Sequence, residues 1–369
     1  MEQNRTFEHC IIIQLKVIKV EAPARICFFG DHQDYLNLPV IAGTINRFIH
    51  IEGEKINKSQ FILQLIDIKK VRIINLNEKY KVDDDDYFLS AIDVLKKEGF
   101  LFDEGYKIKI FGNIPINAGV SSSSALVVAW IRFLLAIQKQ NSKGIFTDEQ
   151  IGKWAYEAES SYFNQPGGIM DQYTISQKGL LYIDTLSTFT ERLNANIGSL
   201  VIAESGITKK TLTVLENART YAEASIKYVK EKVSDFDIHK ADENDYEEFL
   251  EYVPEIYQDH WYATIFNHLL TQKARKMLKE GPIDIYQIGR WMNAHQKILQ
   301  ERIQNTPEIM KLQMEAALNA GALGTKIIGS GGGGCMVAMV NDDNKEQVIQ
   351  AFKKNGAKSA YEISLTSPL

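Results

Sequence analysis

Hydrophobic and polar residues alternate with a two-residue period through much of the first third of the chain. The alternation covers residues 40–54, 61–75 and 106–110, and it is typical of half-buried β-strands. Residues 22–29 are predicted to form an apolar strand. A stretch rich in β-branched residues at 10–20 predicts one or two further strands. The chain is therefore expected to open with a β-rich region.

Other stretches follow the helical period or are apolar throughout. A nearly unbroken apolar run at 125–137 predicts a helix that is buried on almost every face. Further helices are predicted at 87–98, 148–162, 211–232, 245–252, 260–279, 286–302 and 307–320. Strands are predicted at 180–183 and 200–203, and residues 326–340 follow the pattern strand, glycine loop, strand. The mixed composition at 187–197 predicts a boundary, so we expect two domains, residues 1–190 and 191–369.

The segment before the buried helix is rich in small residues and contains four consecutive serines, Ser121, Ser122, Ser123 and Ser124. The backbone N–H groups of such a loop and of the first helical turn converge on one point, with the helix dipole behind them. Serine hydroxyls can add contacts to phosphate or to a magnesium ion. An ordinary N-cap loop is the alternative, but a cap has no need of four serines. We therefore predict a phosphate-binding loop.

Two other loops have the composition of binding sites. At 30–35 an apolar strand ends at a glycine and is followed by two acids, a histidine and a tyrosine. That composition favours recognition of a polar ligand, with a solvated turn as the alternative. The glycine run at 329–334 lies between apolar strands, which favours a buried loop whose backbone approaches a ligand closely.

The remaining acidic positions have structural explanations on the residues alone. Asp171 follows a Pro-Gly-Gly turn, where a single aspartate is more often a helix cap than a functional group. The acidic run at 83–86 is predicted to be the solvated start of the helix 87–98, and we assign it no metal role. Glu159 would by itself belong to a solvated helix face.

Composition narrows the class of protein. The 369 residues carry a formal net charge of −5, which provides no basic field for nucleic acid or for an acidic membrane surface. The three cysteines are isolated, so neither a disulfide framework nor a structural zinc site is expected. No apolar run approaches the ~20 residues of a membrane span. We expect a cytoplasmic protein that partners with neither nucleic acid nor membrane.

Five motifs in order resemble those of the GHMP kinase superfamily, which includes galactokinase, homoserine kinase, mevalonate kinase and phosphomevalonate kinase. Gly-Asp-His-Gln-Asp-Tyr at 30–35 is similar to the galactokinase signature Gly-Glu-His-Thr-Asp-Tyr, and 115–125 resembles the serine-rich second motif. Residues 168–172 and 292–296 resemble two further galactokinase segments. The glycine run to Cys335, with Lys326 before it, is similar to the third motif and is closer to that of mevalonate kinase. Departures from the family pattern are Asn117 for a loop glycine, Ser124 for an alanine and Asp31 for a glutamate.

The resemblance implies an α+β protein of two domains, the first like domain 2 of ribosomal protein S5 and the second ferredoxin-like. It also implies that ATP and Mg²⁺ are used and that Asp171 and Arg25 are catalytic. The other implied roles are substrate binding by Asp31, His32, Asp34 and Gly168, ATP binding by Ala118, Gly119, Ser121, Ser122, Ser123, Ser124, Gly331 and Gly332, and magnesium binding by Ser123 and Glu159.

By the same resemblance the chain would phosphorylate the anomeric hydroxyl of a monosaccharide, with galactose as the leading acceptor, to give a sugar 1-phosphate and ADP. Two carboxylates in the loop at 30–35 would repel an anionic acceptor, which favours neutral sugars. Other sugars (a uronic acid, fucose, a pentose or a heptose) are alternatives within the enzyme class. A sugar- and ATP-binding sensor without catalysis is the alternative from another class.

Overall fold

A computed structural model describes residues 17–115, 118–138, 146–165, 167–208 and 211–366 of the chain. The part of the predicted N-terminal strand that precedes residue 17, and the loop position of Asn117, lie outside these ranges. In the described ranges no helix is both long enough and apolar enough to cross a membrane.

The first sheet contains seven strands within the described residues, in the order β4-β3-β5-β2-β6-β7 with β1 beside β2. The pairings are antiparallel except that of β3 with β5. The strands are β1 (Ile18–Phe29), β2 (Val40–Ile56), β3 (Gln60–Leu65), β4 (Lys70–Asn75), β5 (Gly105–Gly112), β6 (Leu180–Ile183) and β7 (Thr190–Arg192). The patterns of the first third of the chain therefore predicted β1 to β5 correctly, with the stretch 61–75 forming the two strands β3 and β4. Strand β6 was predicted at 180–183, and β7 was not predicted.

The second sheet, counted over the same described ranges, has four antiparallel strands in the order β11-β8-β10-β9. They are β8 (Ser199–Glu204), β9 (Ala322–Ile327), β10 (Cys335–Val340) and β11 (Ser359–Ile363). The change from one sheet to the other falls between Arg192 and Ser199, inside the mixed segment at 187–197. The division at 190 itself stays a prediction. The α+β class is confirmed.

Most predicted helices form within two or three residues of their expected bounds, although α7 begins five residues earlier than predicted. The helices are α1 (Tyr87–Lys97), α2 (Ser122–Ala136), α3 (Asp148–Glu159), α4 (Met170–Gln177), α5 (Thr211–Lys232), α6 (Glu243–Phe249), α7 (Glu255–Glu280), α8 (Ile285–Glu301), α9 (Glu308–Asn319) and α10 (Lys345–Lys354). Asp86 caps α1 by accepting from the Leu89 N–H and also pairs with Arg72, which agrees with a structural role for the acidic run.

Helix α4 was not predicted. It is short, and six of its eight residues are buried, including polar Gln172, Thr174 and Ser176. A helix buried in this way has no polar face, so it leaves no helical period in the sequence. Its presence changes the place of Asp171, which is the second residue of α4 and not its cap, because Ile169 occupies that position.

Helix α2 lies in the centre of the molecule, packed against β1 and β2. Trp130 and Phe133 of α2 stack on each other, and Trp130 also packs edge-on against Phe61 and Phe88. The same apolar core continues into the second sheet through buried residues such as Ile202 and Val337. The apolar core is therefore continuous from α2 and the first sheet to the second sheet.

Candidate active site

Three loops meet around one cavity of about 360 Å³. We call them the acidic loop (residues 30–35), the serine loop (residues 118–124) and the glycine loop (residues 329–334). The cavity wall includes Arg25, Glu159, Gly168 and Asp171 together with members of all three loops. Most residues that the sequence predicted to act together are thus brought to one place, whereas Ala118, Gly331 and Gly332, which were predicted to bind ATP, are not on the wall.

Arg25 and Asp171 form a two-pronged ion pair on this wall. Arg25 Nε donates to Asp171 Oδ1 at 2.6 Å and Nη2 donates to Oδ2 at 2.8 Å. Nη1 donates to the Gly119 carbonyl of the serine loop at 2.8 Å. Arg25 is only 4% exposed. Burial is the largest single effect and lowers the pKa of the Arg25 guanidinium, but the charge and hydrogen bond of Asp171 act in the other direction, and the pKa is raised overall. The pair fixes Asp171 in one orientation beside the serine loop.

Ser121 belongs to both the loop and this ion pair. Its backbone has φ of 57°, a left-handed conformation that side chains adopt with difficulty, and it makes no side-chain cap to α2. Its hydroxyl donates to Asp171 Oδ2 instead. Ser121 was predicted to bind ATP through the loop, and the structure adds this contact with the predicted catalytic aspartate. The helix proper begins at Ser122, so its first N–H groups lie at the cavity.

Glu159 ends α3 and faces the serine loop from the other side. It is 6% exposed, and its carboxylate accepts from Gln172 Nε2 of α4 at 2.7 Å. Burial raises the pKa of Glu159, and hydrogen bonds from Ser123, Gln172 and Ser124 oppose that rise. The predicted pair of Ser123 and Glu159 is therefore in contact. Within the described residues no three His, Cys, Asp or Glu side chains cluster closely enough to hold a metal alone.

This donor set fits magnesium bound together with a phosphate ligand. A buried carboxylate and a hydroxyl are hard oxygen donors, and magnesium commonly takes one or two protein carboxylates with phosphate and water completing its shell. The raised pKa of Glu159 means that burial disfavours its ionised form. A bound cation would stabilise that form.

Both acids of the acidic loop line the cavity, and Asp34 is the one beside Gly168. Its Oδ1 accepts from the Tyr35 N–H at 3.0 Å. Loss of hydration, and next the charge of Asp171, raise the pKa of Asp34 to about 7. A Cβ on Gly168 would collide with the Asp34 carboxylate, so a glycine is required at that position. The predicted substrate residues Asp34 and Gly168 are therefore direct neighbours.

Asp31 and His32 turn toward the second sheet. The Asp31 side chain is fully buried and pairs with Lys326 Nζ at 2.6 Å, while its other oxygen accepts from the Gly329 N–H at 3.0 Å. His32 Nδ1 lies 3.0 Å from the Tyr35 hydroxyl, and its Nε2 lies 3.0 Å from the Ser330 carbonyl. Both side chains join the acidic loop to the glycine loop.

The glycine loop adopts a shape that only glycine takes without strain. Gly329, Gly331, Gly332, Gly333 and Gly334 all have positive φ. A Cβ on Gly331 would collide with Asn305, and one on Gly334 would collide with the Ala118 carbonyl. The Cys335 N–H donates to that same carbonyl at 2.8 Å. The loop therefore lies against the serine loop, as its predicted role in ATP binding requires.

The sequence motif at 292–296 supports the loop without reaching the cavity. Asn293 Oδ1 accepts from the Thr325 N–H and Gln296 Oε1 accepts from the Ile327 N–H, both at 2.9 Å. His295 is fully buried and stacks on Phe29, and burial lowers its pKa to about 3. The segment holds β9 in register just before the glycine loop.

Three residues of this region were missed as site residues by sequence reasoning. Gln172 orients Glu159, Asn305 bonds to both Gly332 and Ser330, and Lys326 neutralises Asp31. A lysine inside the apolar stretch at 325–328 was a usable signal for a buried ion pair. Gln172 and Asn305 carried none, because their partners are distant in sequence.

Two family models of known proteins match parts of the chain. A family model described as GHMP kinases N terminal domain matches residues 86–179, and one described as GHMP kinases C terminal matches residues 274–358. The galactokinase of Streptococcus suis is 26% identical over 356 residues, covering 93% of this chain and 88% of its own length. The galactokinase of Thermococcus kodakarensis is 26% identical, with coverages of 90% and 91%.

Solved structures share the fold along nearly the whole chain. The galactokinase of Lactococcus lactis, complexed with galactose, aligns with a TM-score of 0.83 at 20% identity, covering 96% of this chain and 94% of its own. The mevalonate kinase of Methanococcus jannaschii aligns with a TM-score of 0.71 at 21% identity, covering 95% and 99%. At these identities the likeness establishes the fold, and it confirms the predicted two-domain architecture.

Proposed function

This chain is a member of the GHMP kinase superfamily, and on that premise we propose that it is a galactokinase-like, ATP-dependent sugar kinase that phosphorylates an anomeric hydroxyl. The observation that carries the proposal is the contact of Arg25, Ser121 and Asp171 at the first turn of α2. It places a carboxylate base, a guanidinium and the N–H groups of a helix terminus at one wall of one cavity. That combination suits transfer of a phosphoryl group to a hydroxyl.

Asp171 accepts or orients the proton of the attacking acceptor hydroxyl. Arg25 holds the Asp171 carboxylate through both oxygens and provides positive charge where the transferred phosphoryl group develops negative charge. The Ser121 hydroxyl, bonded to Asp171 Oδ2, restricts that carboxylate further. Positioning and charge stabilisation account for most of what such a transfer requires from a protein.

The phosphates of ATP are bound by the serine loop and the glycine loop. The residues assigned to this role are Ala118, Gly119, Ser121, Ser122, Ser123, Ser124, Gly331 and Gly332. The contact of Cys335 N–H with the Ala118 carbonyl keeps the two loops together, so N–H groups from both can face one anion. Ser123 and Glu159 would hold Mg²⁺, which supplies charge neutralisation for the phosphate oxygens when bound.

The acceptor is bound at Asp34 and Gly168, and His32, whose ring nitrogens contact the Tyr35 hydroxyl and the Ser330 carbonyl, orients the acidic loop beside it. Asp34 lies on the cavity wall near Asp171 and can exchange hydrogen bonds with sugar hydroxyls. A carboxylate acceptor would bring a third negative charge beside Asp34 and Asp171, which favours neutral sugars, with galactose first. Asp31 is left out of this assignment because its side chain is fully buried and both its oxygens are bonded.

The enzyme is proposed to work in the cytoplasm. Cys27 and Cys335 are buried, and no disulfide forms among the described residues, which suits a reducing compartment.

The proposal is tested with a panel of neutral and anionic monosaccharides, ATP and Mg²⁺, with ADP release as the readout and phosphorus NMR to locate the phosphate. We expect turnover of a neutral hexose and coupling of phosphorus to the anomeric proton.

Asp171→Asn should lower kcat by ~10²-fold or more. Its thermal unfolding should remain cooperative, which shows that the variant is folded. Glu157→Gln serves as the control with unchanged kcat, because Glu157 belongs to α3 but does not line the cavity. Preferred turnover of a carboxylate acceptor, or near-normal turnover by the asparagine variant, would contradict the proposal.

A further inference from the structure

The ion pair of Asp31 and Lys326 is the most deeply buried charged contact among the described residues. Both side chains have zero exposure, and Nζ lies 2.6 Å from Asp31 Oδ2. Lys326 Nζ also donates to the Cys27 carbonyl at 3.0 Å and to the Ile327 carbonyl at 2.7 Å. All three ammonium hydrogens thus have acceptors, as a buried lysine requires.

Asp31 uses its second oxygen on the glycine loop. Oδ1 accepts from the Gly329 N–H at 3.0 Å, at the point where β9 gives way to the loop. The carboxylate therefore bonds the lysine before the loop and the first glycine of the loop at once. Despite the burial, the charge of Lys326 keeps the pKa of Asp31 below its ordinary value.

The glycine loop depends on such outside contacts for its shape. Its glycines have no side chains, and their positive φ angles are conformations that a free glycine chain exchanges readily. The Gly332 N–H donates to the Asn305 carbonyl at 2.7 Å, and the Gly334 N–H donates to the Ile207 carbonyl at 3.1 Å. Asp31 is the side-chain carboxylate that anchors the first residue of the loop.

We propose that the Asp31–Lys326 pair is a positioning element that holds the glycine loop in the form that binds nucleotide, and that Asp31 does not read the acceptor sugar. The inference rests on the proposed kinase function for its ligand assignments and deepens it. Asp31, which was predicted to bind the acceptor, is thereby proposed to act on nucleotide binding instead. Asp34 then carries the acceptor contact of this loop.

Two double variants separate the anchor from the charge. Asp31→Ala with Lys326→Met removes both charges together and also removes the acceptor for the Gly329 N–H. Asp31→Asn with Lys326→Met is equally neutral but keeps an oxygen at that place. Because both avoid an unpaired buried charge, they should fold better than either single change. The difference between them therefore reports the loop anchor.

The first readout is hydrogen exchange of the backbone at 328–334, which needs no catalytic activity. We expect the alanine double variant to exchange ~10-fold faster there than the protein with its native residues, and the asparagine version to recover most of the protection. The second readout is nucleotide and sugar binding. The alanine version should raise the Kd for ADP and the KM for ATP ~10-fold, with the KM for sugar within about 2-fold of normal.

Asp34→Asn is the matched control on the same loop, and it should show the opposite split by raising the KM for sugar alone. If the alanine double variant does not fold, Asp31→Leu with Lys326→Met takes its place, because leucine is also neutral, fills the space of the aspartate and lacks an acceptor for the Gly329 N–H. The same split between nucleotide and sugar is expected. Unchanged exchange at 328–334, or a rise in the sugar KM without a rise in the nucleotide Kd, would overturn the positioning role. Absence of kinase activity in the native protein would refute the proposed function but would leave the exchange result decisive.

Discussion

At the scale of single residues, the two acids of the acidic loop have opposite electrostatic surroundings. Lys326 neutralises Asp31 and keeps its pKa low. Asp34 lacks an ion pair among the contacts described, and loss of hydration followed by the charge of Asp171 raises its pKa to about 7. Folding therefore favours the protonated form of Asp34, and its ionised form is the less stable one near neutral pH.

This difference predicts how stability depends on pH. The pKa of Asp34 in the folded protein lies above its ordinary value of 3.8, so its contribution to stability is present at low pH and lost as pH rises through about 7. Asp34→Asn should remove this loss. Calorimetry measures the difference in Tm between the variant and the native protein. This difference should grow in favour of the variant by several degrees from pH 5 to pH 8. The exposed Asp84→Asn serves as control, and a parallel pH course for Asp34→Asn and the native protein would contradict the assignment.

At the scale of secondary structure, the site is assembled from helix ends. Helix α2 presents its first turn to the cavity, α3 ends at Glu159, and α4 carries Asp171 in its own first turn. Helix N-termini attract anions because their N–H groups have no intrahelical partners. The carboxylate of Glu159 would repel an anion bound at the α2 terminus unless a cation lay between them. Anion binding at these helix ends is therefore expected to depend on a bound metal ion.

The helix ends predict the magnesium dependence of the reaction. Ser123→Ala, at the first turn of α2, and Glu159→Gln, at the end of α3, should each raise the Mg²⁺ concentration needed for half-maximal activity ~10-fold and lower kcat. The KM for sugar should change little. Titration of Mg²⁺ at saturating ATP and sugar measures the effect, with Glu157→Gln as control on the same helix. Unchanged magnesium titrations for both variants would refute these ligands.

At the scale of the whole molecule, the C-terminal residues join the second sheet to the first. After β11, the Ser364 carbonyl accepts from the Asn46 N–H at 3.0 Å and the Thr366 N–H donates to the Thr44 carbonyl at 2.9 Å. Leu365 packs against the main core, and a Cβ on Gly43 would collide with it. The contacts bind the final strand of one sheet to the central strand of the other.

Deletion of residues 364–369 should therefore lower the stability of the whole protein. Loss of these hydrogen bonds and of the Leu365 contact should cost on the order of 2–4 kcal/mol. Calorimetry should show a Tm lower by roughly 3–5 °C. Deletion of 367–369 alone is the control, since it keeps each of these contacts. Equal Tm values for the two truncated proteins would show that the segment does not hold the sheets together.

The sequence by itself determined most of the elements, the loop chemistry and the family resemblance. Periodicity located β1 to β5 and helices such as α1, α2 and α5, because alternation and helical spacing record which face of an element is buried. The serine and glycine runs identified their loops because few other residue types suit close approach to phosphate. Ordered motifs then predicted which residues meet, and Arg25, Asp34, Ser123, Glu159 and Asp171 are among those that line the cavity.

The tertiary structure alone decided the partner of each charged side chain. Asp31 and Asp34 are three positions apart, yet one is neutralised by Lys326 and the other lies near Asp171. The hydroxyl of Ser121 bonds to a residue 50 positions away, and buried α4 has no period to reveal it. Patterns along the chain record local burial, whereas ion pairs and pKa values depend on which distant groups packing brings within a few ångströms, and only the folded chain specifies those distances.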